Sequence, residues 1–438
     1  MAKYRILSLD GASAFDGGGY VTVGLLQKLR RKSKDFLDHV DLFAGTSAGG
    51  WTALFLALQD KPSSALKPGK NGEDSPLLEF WKGIMYALSP GQAQSLGRML
   101  LAATGQCALT SFAPLRDYFN GVFEEKKMGD LKHHVAVTSF QLDSKNEGAS
   151  AGTASSRKAH DSGGAAGGRV RKAIDPRCWK DKIFHNFTNA ELDFPRRLPG
   201  EKVVDEVDLD EKIADVAMRT GACPVLAPIV QGAAAQPGPG YLDGGVFANN
   251  PAMCALAQAL RVKRNKRNVR TVKLEDIRLL SVGNGFVPVF LEAENSGNGF
   301  ADWGYVRWFL GPPRVGMLIN MFMSAGSTAA SYQCRALLGE RFLRFQPTLD
   351  MPVIAVSGEQ VKSALQVVDD RLAAVEQDLA AALRPTTRGS TPFEDQHLLK
   401  KHKAATGRVL LPGQVIKWFE EEGWFDDPAK AASRRKRK

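Results

Sequence analysis

Val40-Asp41-Leu42-Phe43-Ala44-Gly45-Thr46-Ser47-Ala48-Gly49-Gly50-Trp51-Thr52-Ala53-Leu54-Phe55-Leu56-Ala57-Leu58 decides the fold class. The mostly apolar run Val40 to Ala44 reads as a buried strand, and Trp51 to Leu58 as an apolar helix. Gly45 to Gly49 leaves room only for a sharp turn between them. Residues 4–9 (Tyr-Arg-Ile-Leu-Ser-Leu) repeat the pattern: a strand, a glycine-rich turn and a helix from about Val21 to Lys32. Strand–turn–helix twice in succession predicts an α/β protein with a largely parallel sheet.

Further strands are expected at His134-Val-Ala-Val-Thr-Ser, at the approach to Tyr241-Leu242 and at Ile277 to Val282. Helices are expected at 210–220 and Pro251–Val262. A long amphipathic helix is expected at about 358–383, where Leu365, Val368, Leu372, Val375 and Leu379 fall on one face. Between Glu147 and Lys172 the chain is dominated by Gly, Ala, Ser and basic residues. It has too little apolar surface to offset its ordering entropy and reads as a flexible surface insertion.

The 438 residues, 44% apolar and 24% charged, suffice for a large core and exclude wholesale disorder. Cys107, Cys178, Cys223, Cys254 and Cys334 show no paired spacing, so neither a disulfide framework nor a zinc site is expected. No charge-free apolar window is long enough for a membrane span, and the N-terminal apolar run is too short for a signal peptide. A cytoplasmic protein is the expectation. Of the formal net charge of +11, six charges lie in the last nine residues, ending Arg434-Arg435-Lys436-Arg437-Lys438. That run could meet an anionic membrane, support nuclear import or nucleic-acid contact, or remain a solvated end. Trp418-Phe419 and Trp424-Phe425 read as core packing, with interfacial insertion as the alternative.

Gly45-Thr46-Ser47-Ala48-Gly49 matches G-x-S-x-G, in which small residues flank a serine projected from a strand-to-helix corner. About 0.25 such matches are expected by chance in this length, and Gly148-Ala149-Ser150-Ala151-Gly152 matches equally well. Context separates the two. Ser47 lies between a strand and a helix, while Ser150 lies in the low-complexity insertion. Ser47 is the candidate nucleophile, and a helix N-cap is the plainer alternative. None of the seven histidines lies in a setting that presents a catalytic side chain. Asp243 does. It closes a strand and precedes Gly244-Gly245, which leave its carboxylate open to another loop, although an Asp-Gly turn explains the same residues. Asp16-Gly17-Gly18-Gly19 precedes the first helix and could converge backbone N–H groups on an anion. Neither a P-loop nor a complete G-x-G-x-x-G is present there.

Together these residues resemble the patatin-like phospholipase family. The resemblance is carried by Ile6-Leu7-Ser8-Leu9-Asp10-Gly11 with Gly17-Gly18-Gly19, by Gly45-Thr46-Ser47-Ala48-Gly49-Gly50, and most strongly by Asp243-Gly244-Gly245-Val246-Phe247-Ala248-Asn249-Asn250-Pro251. Weaker echoes are Gly129-Asp130-Leu131-Lys132, Leu280-Ser281-Val282-Gly283-Asn284-Gly285 and Arg341-Phe342-Leu343-Arg344-Phe345. The resemblance implies a three-layer α/β/α sandwich, assigned to 1–350; periodicity and composition add 351–428 as a helical extension packed on it and 429–438 as a basic disordered tail.

It also implies a phospholipase A-type acyl hydrolase, without cofactor, whose Ser47 nucleophile and Asp243 base form a dyad. Its substrate would be a phospholipid or other acyl ester at a membrane surface, reached by peripheral association. A catalytically weak lipid- or partner-binding relative and an acyltransferase are the other readings of the same fold. In one place the chain departs from the family pattern. Ala12-Ser13-Ala14-Phe15-Asp16 interrupts the Asp-Gly-Gly-Gly run, and the usual following Arg or Lys is missing. The oxyanion donors are therefore Gly17, Gly18 and Gly19, or alternatively Gly11 and Ala12.

Overall fold

The computed structural model describes residues 3–12, 18–70, 72–89, 95–145, 177–188, 191–192, 208–231, 239–263, 271–285, 303–304, 308, 317–347 and 412–425. The expected insertion, the helix at 358–383, the basic tail, Gly17 and Ser150 lie outside these residues.

Seven strands build one sheet: β1 (Tyr4–Leu9), β2 (Leu42–Thr46), β3 (His134–Lys145), β4 (Arg177–His185), β5 (Tyr241–Asp243), β6 (Ile277–Val282) and β7 (Phe342–Phe345). Their order is β4-β3-β2-β1-β6-β7, with β5 also paired to β3. The pairs β3–β2, β2–β1, β1–β6 and β6–β7 are parallel, while β4 and β5 run antiparallel to β3. The helices are α1 (Gly18–Lys32), α2 (Ala48–Ala57), α3 (Pro76–Ala87), α4 (Leu96–Ala103), α5 (Ala113–Phe123), α6 (Ile213–Thr220), α7 (Ala252–Leu260), α8 (Met317–Leu338) and α9 (Pro412–Glu421).

The pleat divides the core in two. Leu7, Leu9, Phe43, Val135, Val137, Leu280 and Val282 face a large cluster with α1, α2, α3, α5, α6 and α9. Ile6, Leu42, Ala44, Ala136, Ile277 and Leu279 face a smaller one beneath α7 and α8. This is the α/β/α sandwich. α2 is buried nearly all round because it lies between the sheet and the outer helices, which explains why its sequence shows no amphipathic stripe. Trp51, Trp81 and Phe119 meet beside it with ring centroids 5.5–5.8 Å apart.

Trp418, Phe419 and Trp424 are buried, and Phe419 stacks on Phe36 at 5.7 Å. The Trp424 indole donates to the Phe36 carbonyl at 2.9 Å. These aromatic side chains therefore close the core next to α1. β4 begins at Arg177, six residues before the apolar Ile183. Its first half carries the charged Arg177, Lys180 and Asp181, which suits its place at the edge of the sheet.

Candidate active site

β3 acts as a ruler. β2 pairs along it as far as Thr46 opposite Thr138, and β5 takes over at the next position, with Asp243 opposite Ser139. Two segments almost two hundred residues apart thus end at neighbouring rungs of one strand. Ser47 follows the first and Asp243 closes the second.

At the β2–α2 corner Ser47 adopts φ 51° and ψ −121°. Such a backbone is costly for a side-chain-bearing residue and persists only when its surroundings enforce it. Here the enforcement is visible. A Cβ on Gly45 would overlap the backbone of Gly49, and one on Gly49 would overlap the Leu9 carbonyl, so the corner closes only with glycine at both places. The Ser47 N–H donates to Thr220 Oγ1 at 2.8 Å, and the Thr220 hydroxyl donates onward to the Thr138 carbonyl at 2.7 Å. Thr46 Oγ1 donates to the Ala248 carbonyl at 2.6 Å. The Thr138 hydroxyl, 2.6 Å from Thr46 Oγ1, is therefore the donor in that pair. Ser47 holds the N-cap position of α2, but its side chain makes no capping bond.

The Ser47 hydroxyl lies near enough to the Asp243 carboxylate to favour its ionised form. Asp243 is 4% exposed. Burial pushes its carboxyl up to about 6, against the opposing pull of the Ser47 hydroxyl and the Gly245 N–H, which donates to Oδ1 at 2.7 Å. Its own N–H donates to the Ala222 carbonyl at 3.0 Å, and Leu242 is held by the Ser139 hydroxyl at 2.8 Å. Gly244 fits against Thr138, where a Cβ would overlap the threonine. A carboxyl near 6 is largely ionised at neutral pH yet is a far better proton acceptor than an ordinary aspartate.

The glycine-rich region is less uniform. Gly11 packs against the Ser47 corner, but its N–H is engaged with the Asn249 carbonyl at 2.8 Å. Ala12 follows it and is buried. Gly18 and Gly19 form the first turn of α1, whose leading N–H groups have no partner within the helix. Gly19 presses on the Trp81 ring. The described histidines lie elsewhere. His134 begins β3 beside Glu191 and is stacked on Phe187, His185 pairs from the opposite side of β3, and His39 faces Asp35. No group of three or more His, Cys, Asp or Glu side chains gathers as a metal site among the described residues.

Three contributors escape a reading of the sequence. The Thr46–Thr138–Thr220 ladder comes from three distant segments and has no linear signature. α8 reaches the site through Ser327, which accepts from the Asn249 amide at 3.1 Å, and through Met323 beside Gly245. Asn250 is buried between Ser8, Ser281 and Ser331 and fixes the segment after Asp243. The Asn249-Asn250 pair was visible beforehand as part of the strongest motif, but the contacts that hold it were not.

A serine corner and a buried aspartate meeting on one strand can be compared with known proteins. The profile of the family described as patatin-like phospholipase matches residues 13–256, more than half of the chain. The chain belongs to the patatin-like phospholipase family. It is similar to CotR of Bacillus subtilis, 26% identical over 80% of this chain and 88% of that one. It is also similar to protein teg of Priestia megaterium, 23% identical over 80% and 89%. A cGAMP-activated phospholipase of Pseudomonas aeruginosa is 23% identical over 78% and 77%. The mixed, mostly parallel sheet between two helical layers is the patatin-like fold. Membership supports a general lipid-hydrolase or esterase activity. No described helix is long and apolar enough to cross a membrane.

Proposed function

We propose that the protein is a phospholipase A-type acyl hydrolase that works through a Ser47–Asp243 dyad. The observation that carries the reading is the meeting, at adjacent rungs of β3, of a strained, non-capping serine and a buried aspartate whose carboxyl is raised to about 6.

The Asp243 carboxylate accepts the Ser47 proton as Oγ attacks the ester carbonyl carbon. Negative charge develops on the carbonyl oxygen and is met by backbone N–H groups. The amides open to this role are those of Ala12 and of the glycine-led first turn of α1, where the helix dipole also favours an anion. Collapse of the tetrahedral intermediate breaks the ester C–O bond, and protonated Asp243 supplies the leaving alcohol's proton. Water then attacks the acyl-enzyme, gives its proton to the same carboxylate, and releases the fatty acid. Burial serves both halves of the cycle, because it keeps the carboxyl basic enough to accept a proton and acidic enough to return it.

The test is hydrolysis of phospholipid vesicles together with labelling by a serine-directed fluorophosphonate. Wild type is expected to release fatty acid and to be labelled at Ser47, whereas Ser47→Ala does neither. Retained turnover in Ser47→Ala or Asp243→Ala overturns the assignment. Delivery to the bilayer is assigned to Arg434, Arg435, Lys436, Arg437 and Lys438, at about 1 kcal/mol per charge near an anionic surface. A chain ending at Pro428 is expected to bind anionic vesicles more weakly at low salt, and equal binding removes the tail from the proposal.

A further inference from the structure

Two sequence echoes have no part in the reaction above, Leu280–Gly285 and Arg341–Phe345. The sheet brings both beneath the segment Asp10-Gly11-Ala12. β6 lies between β1 and β7, with Leu9 opposite Val282 and Ser281 opposite Arg344. The Arg344 guanidinium reaches across β6 and grips Asp10 with both arms, Nη1 to Oδ1 at 2.6 Å and Nη2 to Oδ2 at 2.5 Å. Nη1 also donates to Ser281 Oγ at 2.7 Å, and Nε to Gln346 Oε1 at 3.1 Å.

The backbone above this grip is tied at successive groups. Asp10 N–H donates to the Val282 carbonyl at 3.1 Å and Gly11 N–H to the Asn249 carbonyl at 2.8 Å. The Gly11 carbonyl accepts from the Asn284 side-chain amide at 2.8 Å. A Cβ built on Gly11 would lie 3.4 Å from the Ser47 Cβ, so this tethered segment forms one wall of the nucleophile's corner. A trans peptide is planar, and its C=O and N–H point in opposite directions. Holding the Gly11 oxygen therefore fixes the direction of the Ala12 N–H as well.

We infer that Asn284 and Arg344 are positioning residues for acyl transfer: they lock the Gly11–Ala12 peptide beside Ser47, so that its N–H meets the developing oxyanion in one orientation. The inference rests on the Ser47 acyl-transfer reading. It gives the two echoes a shared task, since one supplies the amide that holds the carbonyl and the other the fork that holds the strand end. It also accounts for a chain that lacks the arginine usual after the glycine run. Rigidity is supplied from the far strands of the sheet instead.

Asn284 is partly exposed and carries a single hydrogen bond to this segment, so its variants report on positioning with little risk to folding. The measurements are hydrolysis of soluble p-nitrophenyl butyrate, the rate of fluorophosphonate labelling, and thermal melting. They are made on wild type, Ser47→Ala, Asn284→Ala, Asn284→Asp and Asn284→Gln. Losing one aimed donor costs about 100- to 1,000-fold in comparable sites, so loosening its peptide is expected to lower kcat about 10- to 100-fold. Asn284→Ala and Asn284→Asp should show that loss with KM within about twofold of wild type, slower labelling and an unchanged melting temperature. Asn284→Gln keeps an amide donor and should recover part of the rate. Arg344→Lys keeps a charge for Asp10 but loses the fork, and should show the same split between kcat and KM.

Wild-type kcat in both Asn284→Ala and Asn284→Asp, with Ser47→Ala inactive, overturns the clamp and leaves the nucleophile standing. A loss of kcat that merely tracks a fall in melting temperature also overturns it. Hydrolysis that survives Ser47→Ala overturns the clamp and the reading beneath it together.

Discussion

Asp10 and Asp243 make an instructive pair. Each stands at the end of a strand beside the Ser47 corner, each is almost wholly buried, and each is followed by glycine. Their partners differ. Burial raises the Asp10 carboxyl too, but there both arms of Arg344 oppose the rise. Asp243 receives only a hydroxyl and one N–H, and burial raises its carboxyl to about 6. On the proposed reading the matched charge holds structure, whereas the other is held in readiness to take a proton. The same residue type, a short distance away in the same sheet, is fitted for opposite tasks by what faces it.

The largest expected effect breaks the comparison on the reactive side. Ser47→Ala and Asp243→Ala should each lower ester hydrolysis by about 10⁴-fold or more, and the double variant should be no worse than either alone, because groups that act as a unit are not additive. Steady-state assays on vesicles check this. Independent losses that multiply would separate the two residues.

On the structural side, Asp10→Asn or Arg344→Met leaves one member of a buried ion pair unanswered. Removing a partner from such a pair costs about 3–5 kcal/mol. Chemical denaturation should show that loss for either variant. If Asp10→Asn were instead neutral in stability and dead in hydrolysis, the two aspartates would have exchanged the roles assigned to them.

Asp243→Asn sharpens the contrast by moving stability the other way. The carboxyl is raised from an unfolded value of about 4 to about 6. The folded state therefore binds the proton more readily, and wild-type stability falls as pH rises through this window. Above pH 7 the ionised, buried carboxylate costs up to about 3 kcal/mol. Asp243→Asn should be more stable than wild type by up to that amount at pH 8, with the gain vanishing below about pH 4. If Asp243 is the base, the same group sets the acid limb: kcat/KM should fall about tenfold per pH unit below about 6.

Much of this was legible in the chain because local chemistry carried it. Gly45 and Gly49 mark a corner that admits no side chain, and Asp243-Gly244-Gly245 marks a strand end. The apolar runs around them give the α/β alternation. What could not be read is whatever depends on register. Nothing near Thr46, Thr138 or Thr220 in sequence indicates that their hydroxyls stack beneath one serine. Nor does anything near Arg344 point to Asp10, since the contact exists only because β6 places β7 two strands from β1. The choice among glycines depends on packing in the same way. That the Gly11 amide is already taken by Asn249 is a fact of packing, and composition cannot show it.

The threonine ladder offers the smallest effect and a last distinction between the two sides. Thr220 accepts from the Ser47 N–H and donates to the Thr138 carbonyl, so it links the strained corner to β3 directly below Asp243. Thr220→Val keeps the shape but strands a buried donor and a buried acceptor, which should cost about 1–3 kcal/mol. Thr220→Ser restores both bonds and should recover most of that loss. If the ladder serves the corner, Thr220→Val should also lower kcat, because Ser47 loses part of what holds it in its unfavourable backbone conformation. A stability loss with unchanged kcat in Thr220→Val would show that the close packing at Gly45 and Gly49 is enough to keep the serine in place.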